Sequence, residues 1–286
     1  MHMVQAKGIL SAKNGMNIYR GCTHGCIYCD ARSDCYNMTH AFEDIEVKQN
    51  APQLLEQALK AKRRRCMIGT GAMSDPYLHA EKELCLTRSC LELIERYGFG
   101  LAIQTKSDLI MRDIDLIDSI NRRAKAVVQM TLTTADEDLC RIAEPNVCTT
   151  KRRFEVLCEM HERGIHTVVW LSPLLPYIND TPENVAAIVD MAGKAGCMGI
   201  ICFDMGLTLR NGDREHYYSA LARHFPGLRE RYIREYGDAY MLTSPNAAKL
   251  WRVFVTECRS RGIEYRTDAV FDFMRRFEES EQLTLF

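Results

Sequence analysis

Apolar and polar positions along the chain follow two periods. Short runs of crowded or alternating apolar residues predict strands at Cys66–Gly69, Gly100–Thr105, Ala126–Leu132, His166–Leu171 and Met198–Phe203, with a shorter strand at Met16–Tyr19 before them. Helical spacing fills the intervals. Pro52–Arg64 places Leu54, Leu55, Ala58 and Leu59 on one side, and Glu81–Tyr97 closes at Gly98. A third helix runs through Leu109, Ile110, Ile114, Ile117 and Ile120, and Lys151–Arg163 stops at Gly164. Thr181, Pro182 and Glu183 supply an N-cap, a first-turn proline and a first-turn carboxylate for a helix ending near Gly196. Six strand-then-helix units in series predict parallel strands joined by right-handed crossovers. The expected fold is α/β, a partial (β/α)6 TIM-like barrel over residues 1–210 with a helical C-terminal extension over 211–277 and a tail over 278–286. In the extension, Arg214–Tyr236 and Ser244–Arg261 read as helices, followed by a short Ile263–Arg266 segment and a last helix, Ala269–Phe277. Chemistry in such a fold collects at the strand C-termini.

Composition narrows the class. The 286 residues are 47% hydrophobic and 26% charged, which excludes disordered and collagen-like chains. No apolar run is long enough to span a bilayer, and residues 1–15 lack the apolar core of a signal peptide, so no membrane partner is expected. A net charge of -1 points to neither nucleic acid nor membrane. The 13 cysteines are many, but most, such as Cys66, Cys158 and Cys202, sit in apolar patterns where they act as small hydrophobes. A reducing, cytoplasmic location is the expectation.

The sharpest local feature is Cys22-Thr-His-Gly-Cys26-Ile-Tyr-Cys29, a Cys-x3-Cys-x2-Cys spacing on the loop after the first predicted strand. A structural zinc site asks for four ligands in pairs, with Cys35 available as the fourth. Three thiolates on one tight loop instead suit three irons of a cubane, leaving the fourth iron open to a substrate or cofactor. Gly21 and Gly25 let the backbone wrap closely around such a cluster.

Over roughly residues 14–210 these features resemble the radical S-adenosylmethionine superfamily, including Tyr28, an aromatic just before the last cysteine. The resemblance implies a [4Fe–4S] cluster on Cys22, Cys26 and Cys29. Its open iron chelates the amine and carboxylate of S-adenosylmethionine, and reductive cleavage gives methionine and a 5′-deoxyadenosyl radical. It also implies an electron donor such as flavodoxin or ferredoxin. Within the superfamily the chain is similar to the spore-photoproduct-lyase-like group, often called DNA repair photolyase. The segments that carry this are Asn17-Ile-Tyr-Arg-Gly-Cys22, Gly69-Thr-Gly-Ala-Met-Ser74-Asp75-Pro76-Tyr77, Gln104-Thr105-Lys106 and Ser172-Pro-Leu-Leu-Pro-Tyr-Ile-Asn179-Asp180. Ser74 and Lys106 match positions that contact the amino-acid part of the cofactor in that group. A lysine point charge suits a carboxylate, and a Ser74 hydroxyl or Asp75 carboxylate can accept from an ammonium. Thr131 or Thr133 can add a hydroxyl. The expected cofactor-binding set is Tyr28, Gly69, Gly71, Ser74, Asp75, Lys106 and Thr131. The bland readings are a helix cap for Ser74-Asp75 and a solvated loop lysine for Lys106.

Two positions depart from the lyase. Its hydrogen-donating cysteine is matched by Ala72 and its relay tyrosine by Asp30, which argues against thymine-dimer reversal by the same route. Cys35, Tyr77 and Cys140 are the replacement catalytic candidates, Cys140 reading equally as a partly buried helical thiol.

The ending Gln282-Leu283-Thr284-Leu285-Phe286 resembles the Gln-Leu-x-Leu-Phe motif that binds the bacterial sliding clamp, with Gln282, Leu283, Leu285 and Phe286 as contacts. The alternative is a tail folded back on the barrel. Lys60–Arg65 and Arg122–Lys125 precede predicted strands and read as solvated helix ends. Arg210, Arg214, Arg252, Arg259, Arg266, Tyr217, Tyr218 and Trp251 are types that hold phosphates and stack on bases. The expectation is a radical enzyme acting on damaged or modified nucleic acid. A radical enzyme on a small molecule or peptide, and a non-enzymatic iron–sulfur protein for electron transfer or sensing, are the alternatives.

Overall fold

The computed structural model describes residues 1–278. Six strands form one sheet in chain order: β1 (Gly15–Met16), β2 (Met67–Thr70), β3 (Gly100–Thr105), β4 (Ala126–Thr131), β5 (His166–Trp170) and β6 (Gly199–Ile201). Every neighbouring pair is parallel, with Ile103 opposite Val128 and Met130 opposite Val169. This is the open, partial barrel that consecutive right-handed crossovers build. All six residues of β4 are buried, because a parallel strand is covered on both faces and needs no polar alternation. The crossover helices are α1 (Ala51–Ala61), α2 (Leu86–Tyr97), α3 (Ile114–Arg123), α4 (Thr150–Glu162) and α5 (Pro182–Lys194). Leu55 and Leu59, one turn apart in α1, are buried, and Thr181 caps α5 by accepting the Asn184 N–H at 3.1 Å.

The expected elements are shorter and more broken than the hydrophobic pattern suggests. The Glu81–Tyr97 helix divides at Cys85, which takes a left-handed φ of 51°. The cause is Glu81, whose carboxylate turns inward to accept the Thr87 N–H at 3.1 Å and so caps α2. The pattern from Leu109 to Ile120 starts as a 3-10 turn, Asp108–Asp113, before α3. The Met16–Tyr19 strand splits. Gly15–Met16 joins the barrel, whereas Tyr19–Arg20 pairs antiparallel with Glu46–Lys48, which pairs parallel with His2–Val4. This three-stranded side sheet was not expected, since its members have two or three residues each.

Past residue 210 the expected single helix over Arg214–Tyr236 breaks at Phe225-Pro226-Gly227 into α6 (Asp213–His224) and α7 (Leu228–Tyr236), Gly227 holding a φ of +81°. A hairpin of Gly206–Thr208 with Met241–Thr243 was also missed. Helices α8 (Ala247–Arg261) and α9 (Thr267–Arg275) follow, and Leu250, Phe254 and Cys258 of α8 join the barrel core. The Ile263–Arg266 segment extends the sheet, the Ile200 N–H bonding to the Glu264 carbonyl at 2.9 Å. Lys125 corrects the reading of its basic run. It is buried, donates to the Phe273 carbonyl at 2.7 Å and pairs with Glu278, pinning α9 to the barrel. No described helix is long and apolar enough to cross a membrane.

Candidate active site

The C-terminal strand ends open on a cavity of about 500 Å³. Its walls are the cysteine loop after β1, the Gly71–Asp75 turn after β2, Gln104–Lys106 at the end of β3, and Thr131 ending β4. Ser172-Pro173 after β5 and the Phe203–Thr208 stretch after β6 complete it.

The cysteine loop is held from outside by groups far along the chain. The Cys22 N–H donates to the Phe42 carbonyl at 3.1 Å, and Gly21, at a φ of +87°, gives that carbonyl the space a side chain would fill. The Ile27 N–H bonds to Ala143, and Asn146 bonds to the carbonyls of Thr23 and His24. Cys22, Cys26 and Cys29 all line the cavity, and none of the 13 cysteines is in a disulfide. Burial pushes the Cys22 thiol up to about 12 and raises Cys26 and Cys29, with the Lys106 ammonium acting against each rise. Three thiols on one cavity, with no fourth cysteine among its lining residues, are a donor set that a cationic iron cluster would turn into thiolates. These residues fit a [4Fe–4S] cluster with one open iron. Cys35, the candidate fourth zinc ligand, lies outside the cavity and is exposed, its Sγ 3.4 Å from Arg210 Nη1.

Beneath the loop lies a buried ion pair absent from the sequence reading. Arg153, fully buried in α4, meets Glu144 at 2.5 Å and donates to the Thr131 and Lys106 carbonyls at 2.9 and 3.1 Å. It thereby ties the ends of β3 and β4 together. The Tyr28 hydroxyl donates to Glu144. Burial would raise Glu144, but Arg153 and Lys106 outweigh it and hold the carboxyl below its usual range. Burial likewise opposes the Lys106 charge, and Cys26 and Glu144 overcome it, holding the amine above its usual value. The Lys106 ammonium lies 5.8 Å from the centre of the Tyr28 ring. Lys106 is therefore a half-buried cation at the cavity wall, not a solvated loop residue.

The other expected cofactor contacts divide. Ser74 is buried, lines the cavity and donates to the Gly21 carbonyl at 2.7 Å, leaving its oxygen free to accept. Asp75 lines the cavity too, but its carboxylate already accepts from Thr105 Oγ1 at 2.6 Å and from the Lys106 and Tyr77 N–H groups at 2.8 Å each. Asp75 also faces His24 Nδ1 at 3.4 Å. Thr131 lines the cavity. Thr133 does not, and its carbonyl serves Asn179 and Asn184. Gly71 is on the wall, at a φ of +101° that brings the turn against the Gln104 carbonyl, whereas Gly69 sits within β2 away from the cavity.

None of the three catalytic candidates lines the cavity. Cys140 is buried between Glu144 and Thr150, its Sγ 3.6 and 3.5 Å from their oxygens. Tyr77 is buried against Arg112. The cavity wall instead carries Ala72 and Asp30, the two points of departure from the lyase, together with Tyr36 and Tyr240. Tyr36 donates to Asp30 Oδ2 at 2.8 Å, and Arg210 reaches Tyr36 and Tyr240 hydroxyls at 3.1 and 2.9 Å. No local pattern announces this group, because Arg210 lies 174 residues from Tyr36. Most of the other proposed phosphate and base contacts are otherwise engaged. Tyr217 is fully buried, Arg214 donates to the carbonyls of Leu209, Gly237, Asp238 and Ala239, and Arg266 pairs with Glu264. The tail residues Gln282, Leu283, Leu285 and Phe286 lie outside the described residues.

The family model of the radical SAM superfamily matches residues 16–203. The chain belongs to the radical SAM superfamily. An uncharacterized protein of Mycobacterium tuberculosis is 30% identical over 232 residues, 77% of this chain. The chain spans 66% of that relative's length. An uncharacterized protein of Methanocaldococcus jannaschii is 33% identical over 174 residues, 60% of this chain and 64% of the relative. Among solved structures, a spore photoproduct lyase variant with bound AdoMet and dinucleoside spore photoproduct superposes with a TM-score of 0.62 at 13% identity, over 88% of this chain and 75% of the lyase. The radical S-adenosylmethionine methyltransferase TsrM of Kitasatospora setae gives 0.54 at 15% identity, over 87% and 52%. The radical SAM chain thus shares the lyase's fold.

Proposed function

We propose that the chain is a radical S-adenosylmethionine enzyme that abstracts hydrogen from a damaged or modified nucleic acid. The observation that carries the reading is the meeting of Cys22, Cys26 and Cys29 with Ser74, Lys106 and Thr131 on one cavity. Cys22, Cys26 and Cys29 would hold the [4Fe–4S] cluster. When bound, the reduced cluster and S-adenosylmethionine supply a 5′-deoxyadenosyl radical that removes a hydrogen atom from a substrate carbon. Lys106 offers a half-buried ammonium to the cofactor carboxylate, and the free lone pairs of Ser74 Oγ accept from its ammonium. Thr131 adds a hydroxyl on the same wall. Arg153 and Glu144 fix the strand ends that carry Lys106 and Thr131. On the remaining wall Asp30 accepts a hydrogen bond from the Tyr36 hydroxyl, and Arg210 donates to both cavity phenols beside the Gly206–Thr208 hairpin strand.

The nucleic-acid part is supported by the clamp-motif-like tail and by a fold shared with a lyase that binds a dinucleoside photoproduct. Ala72 has no transferable hydrogen and Asp30 no phenol, so the hydrogen-return route of that lyase is not part of this proposal. The test is anaerobic reconstitution followed by dithionite and S-adenosylmethionine, which is expected to release 5′-deoxyadenosine. Deuterium carried from a labelled, lesion-bearing oligonucleotide into that product supports the nucleic-acid reading. Release without transfer from any oligonucleotide moves the substrate to small molecules or peptides. No release from a fully loaded cluster leaves an electron-transfer or sensing protein.

A further inference from the structure

The side sheet gathers four metal-ligating side chains that the cysteine cavity does not use. His2 stands opposite Glu46 in the parallel register of His2–Val4 with Glu46–Lys48, so both side chains share one face. His40 and Asp44 come from the segment that leads into Glu46. His2 Nδ1 lies 3.0 Å from Asp44 Oδ2, and His40 Nε2 lies 3.8 Å from Glu46 Oε2. The two imidazoles meet edge to face with centres 4.7 Å apart. One ligand atom from each of His2, His40 and Asp44 falls within 4.8 Å of the others, a spread that small side-chain rotations close around one ion.

His40 already has the hydrogen bonding of a metal ligand. Its Nδ1 donates to the Ala41 carbonyl at 3.0 Å, which leaves the lone pair on Nε2. That Nε2 is buried and has no hydrogen-bond partner. A carbonyl holding the far nitrogen is the usual support of a ligating imidazole. The Met1 amino group lies 2.6 Å from Asp44 Oδ1, and Arg20 stands opposite Glu46 on the adjoining strand. His2 and Asp44 are each about two-fifths exposed, which gives an ion a path from solvent.

We propose that His2, His40 and Asp44, with Glu46 beside them, bind one divalent transition-metal ion of the zinc type. Two imidazoles with carboxylates are the donor class for such a borderline cation. The site has a defined mechanical consequence. His40 and Asp44 bracket Phe42, whose carbonyl accepts the Cys22 N–H. An ion held on both sides of Phe42 clips the side sheet to the back of the cysteine loop, whatever reaction that loop supports.

The test uses the full chain with its iron–sulfur cluster loaded, dialysed to equilibrium against Zn²⁺ beside His40→Ala and Asp44→Asn. The difference between chains subtracts zinc held by thiols elsewhere. The expected result is one further equivalent in the unsubstituted chain than in His40→Ala, at least tenfold weaker binding in Asp44→Asn, and a zinc-induced rise in thermal midpoint only without the substitutions. Zinc-free thermal midpoints of the three chains separate lost binding from lost folding, and His2→Asn on the exposed strand replaces any variant that fails that check. Equal zinc content in the unsubstituted chain and the folded variants overturns the proposal.

Discussion

Two groups of buried carboxylates paired with arginines flank the barrel, and only one adjoins the cysteine cavity. Glu81 and Asp113 are matched by two guanidiniums, Arg112 and Arg88, at 2.7 to 2.8 Å. Glu81 is further satisfied by the Tyr19 hydroxyl and the Thr87 N–H. This group is closed in charge and in hydrogen bonds and ties α2 to the turn before α3. Glu144 faces Arg153 but also Lys106, so one carboxylate answers two cations. Lys106 stands at the cavity wall, where Cys26 and Glu144 favour its charge. Burial and ion pairing therefore do not mark the site. A cation beside three raised thiols on one cavity does, because thiolates on a metal and an anionic ligand would answer its charge.

The largest expected effect is at the thiols themselves. Cys26→Ser is expected to abolish iron loading and 5′-deoxyadenosine release, whereas Cys35→Ser, outside the cavity, keeps both by iron analysis and product assay. Next, the two ion-pair groups can be set against each other. Glu144→Gln strands the buried Arg153, a loss of about 3–5 kcal/mol measurable by denaturant unfolding, whereas Glu81→Gln leaves the partly exposed Arg112 paired with Asp113 and is expected to cost less. At a temperature where both variants remain folded, only Glu144→Gln is expected to lose cofactor cleavage. Equal cleavage by the two would erase the distinction drawn above. Lys106→Met tests the cavity cation directly. It is expected to weaken S-adenosylmethionine binding to the cluster-loaded chain by about 2 kcal/mol, roughly thirtyfold, with little change in stability.

The smallest effect concerns another buried carboxylate, Asp213, which makes no ion pair among the described residues. Asp213 accepts the Arg210 N–H at 2.6 Å, but its second oxygen has no partner, and the neighbouring Arg214 is spent on carbonyls. Burial pushes this carboxyl up to about 6, above an unfolded value of about 3.9. The folded chain then retains a proton that the unfolded chain releases. The stability from this group is full below about pH 4 and is lost as pH rises through its folded value. Asp213→Asn is expected to raise stability by about 1 kcal/mol at pH 7.5 and to flatten that window in thermal melts taken from pH 4 to 7. An unchanged pH profile would show that Asp213 does not carry the proton.

Local spacing along the chain was sufficient for the cysteine loop, the strand–helix alternation and the placement of Ser74 and Lys106 after the ends of their strands. Those features repeat within a few residues, and a parallel barrel sends every strand's C-terminus to the same mouth. Spacing could not separate Thr131 from Thr133, because which one faces the cavity depends on where β4 ends. Cys85 and Pro226 show the same limit in the helices, where a side-chain cap and a turn interrupt patterns that look continuous. What only the tertiary structure decided is how distant charges and phenols meet. Arg153 beneath the cysteine loop, Arg210 between Tyr36 and Tyr240, and His2 beside His40 and Asp44 are contacts closed by the fold. None leaves a period in the sequence, since each pays the entropy of a long loop only after the barrel has formed.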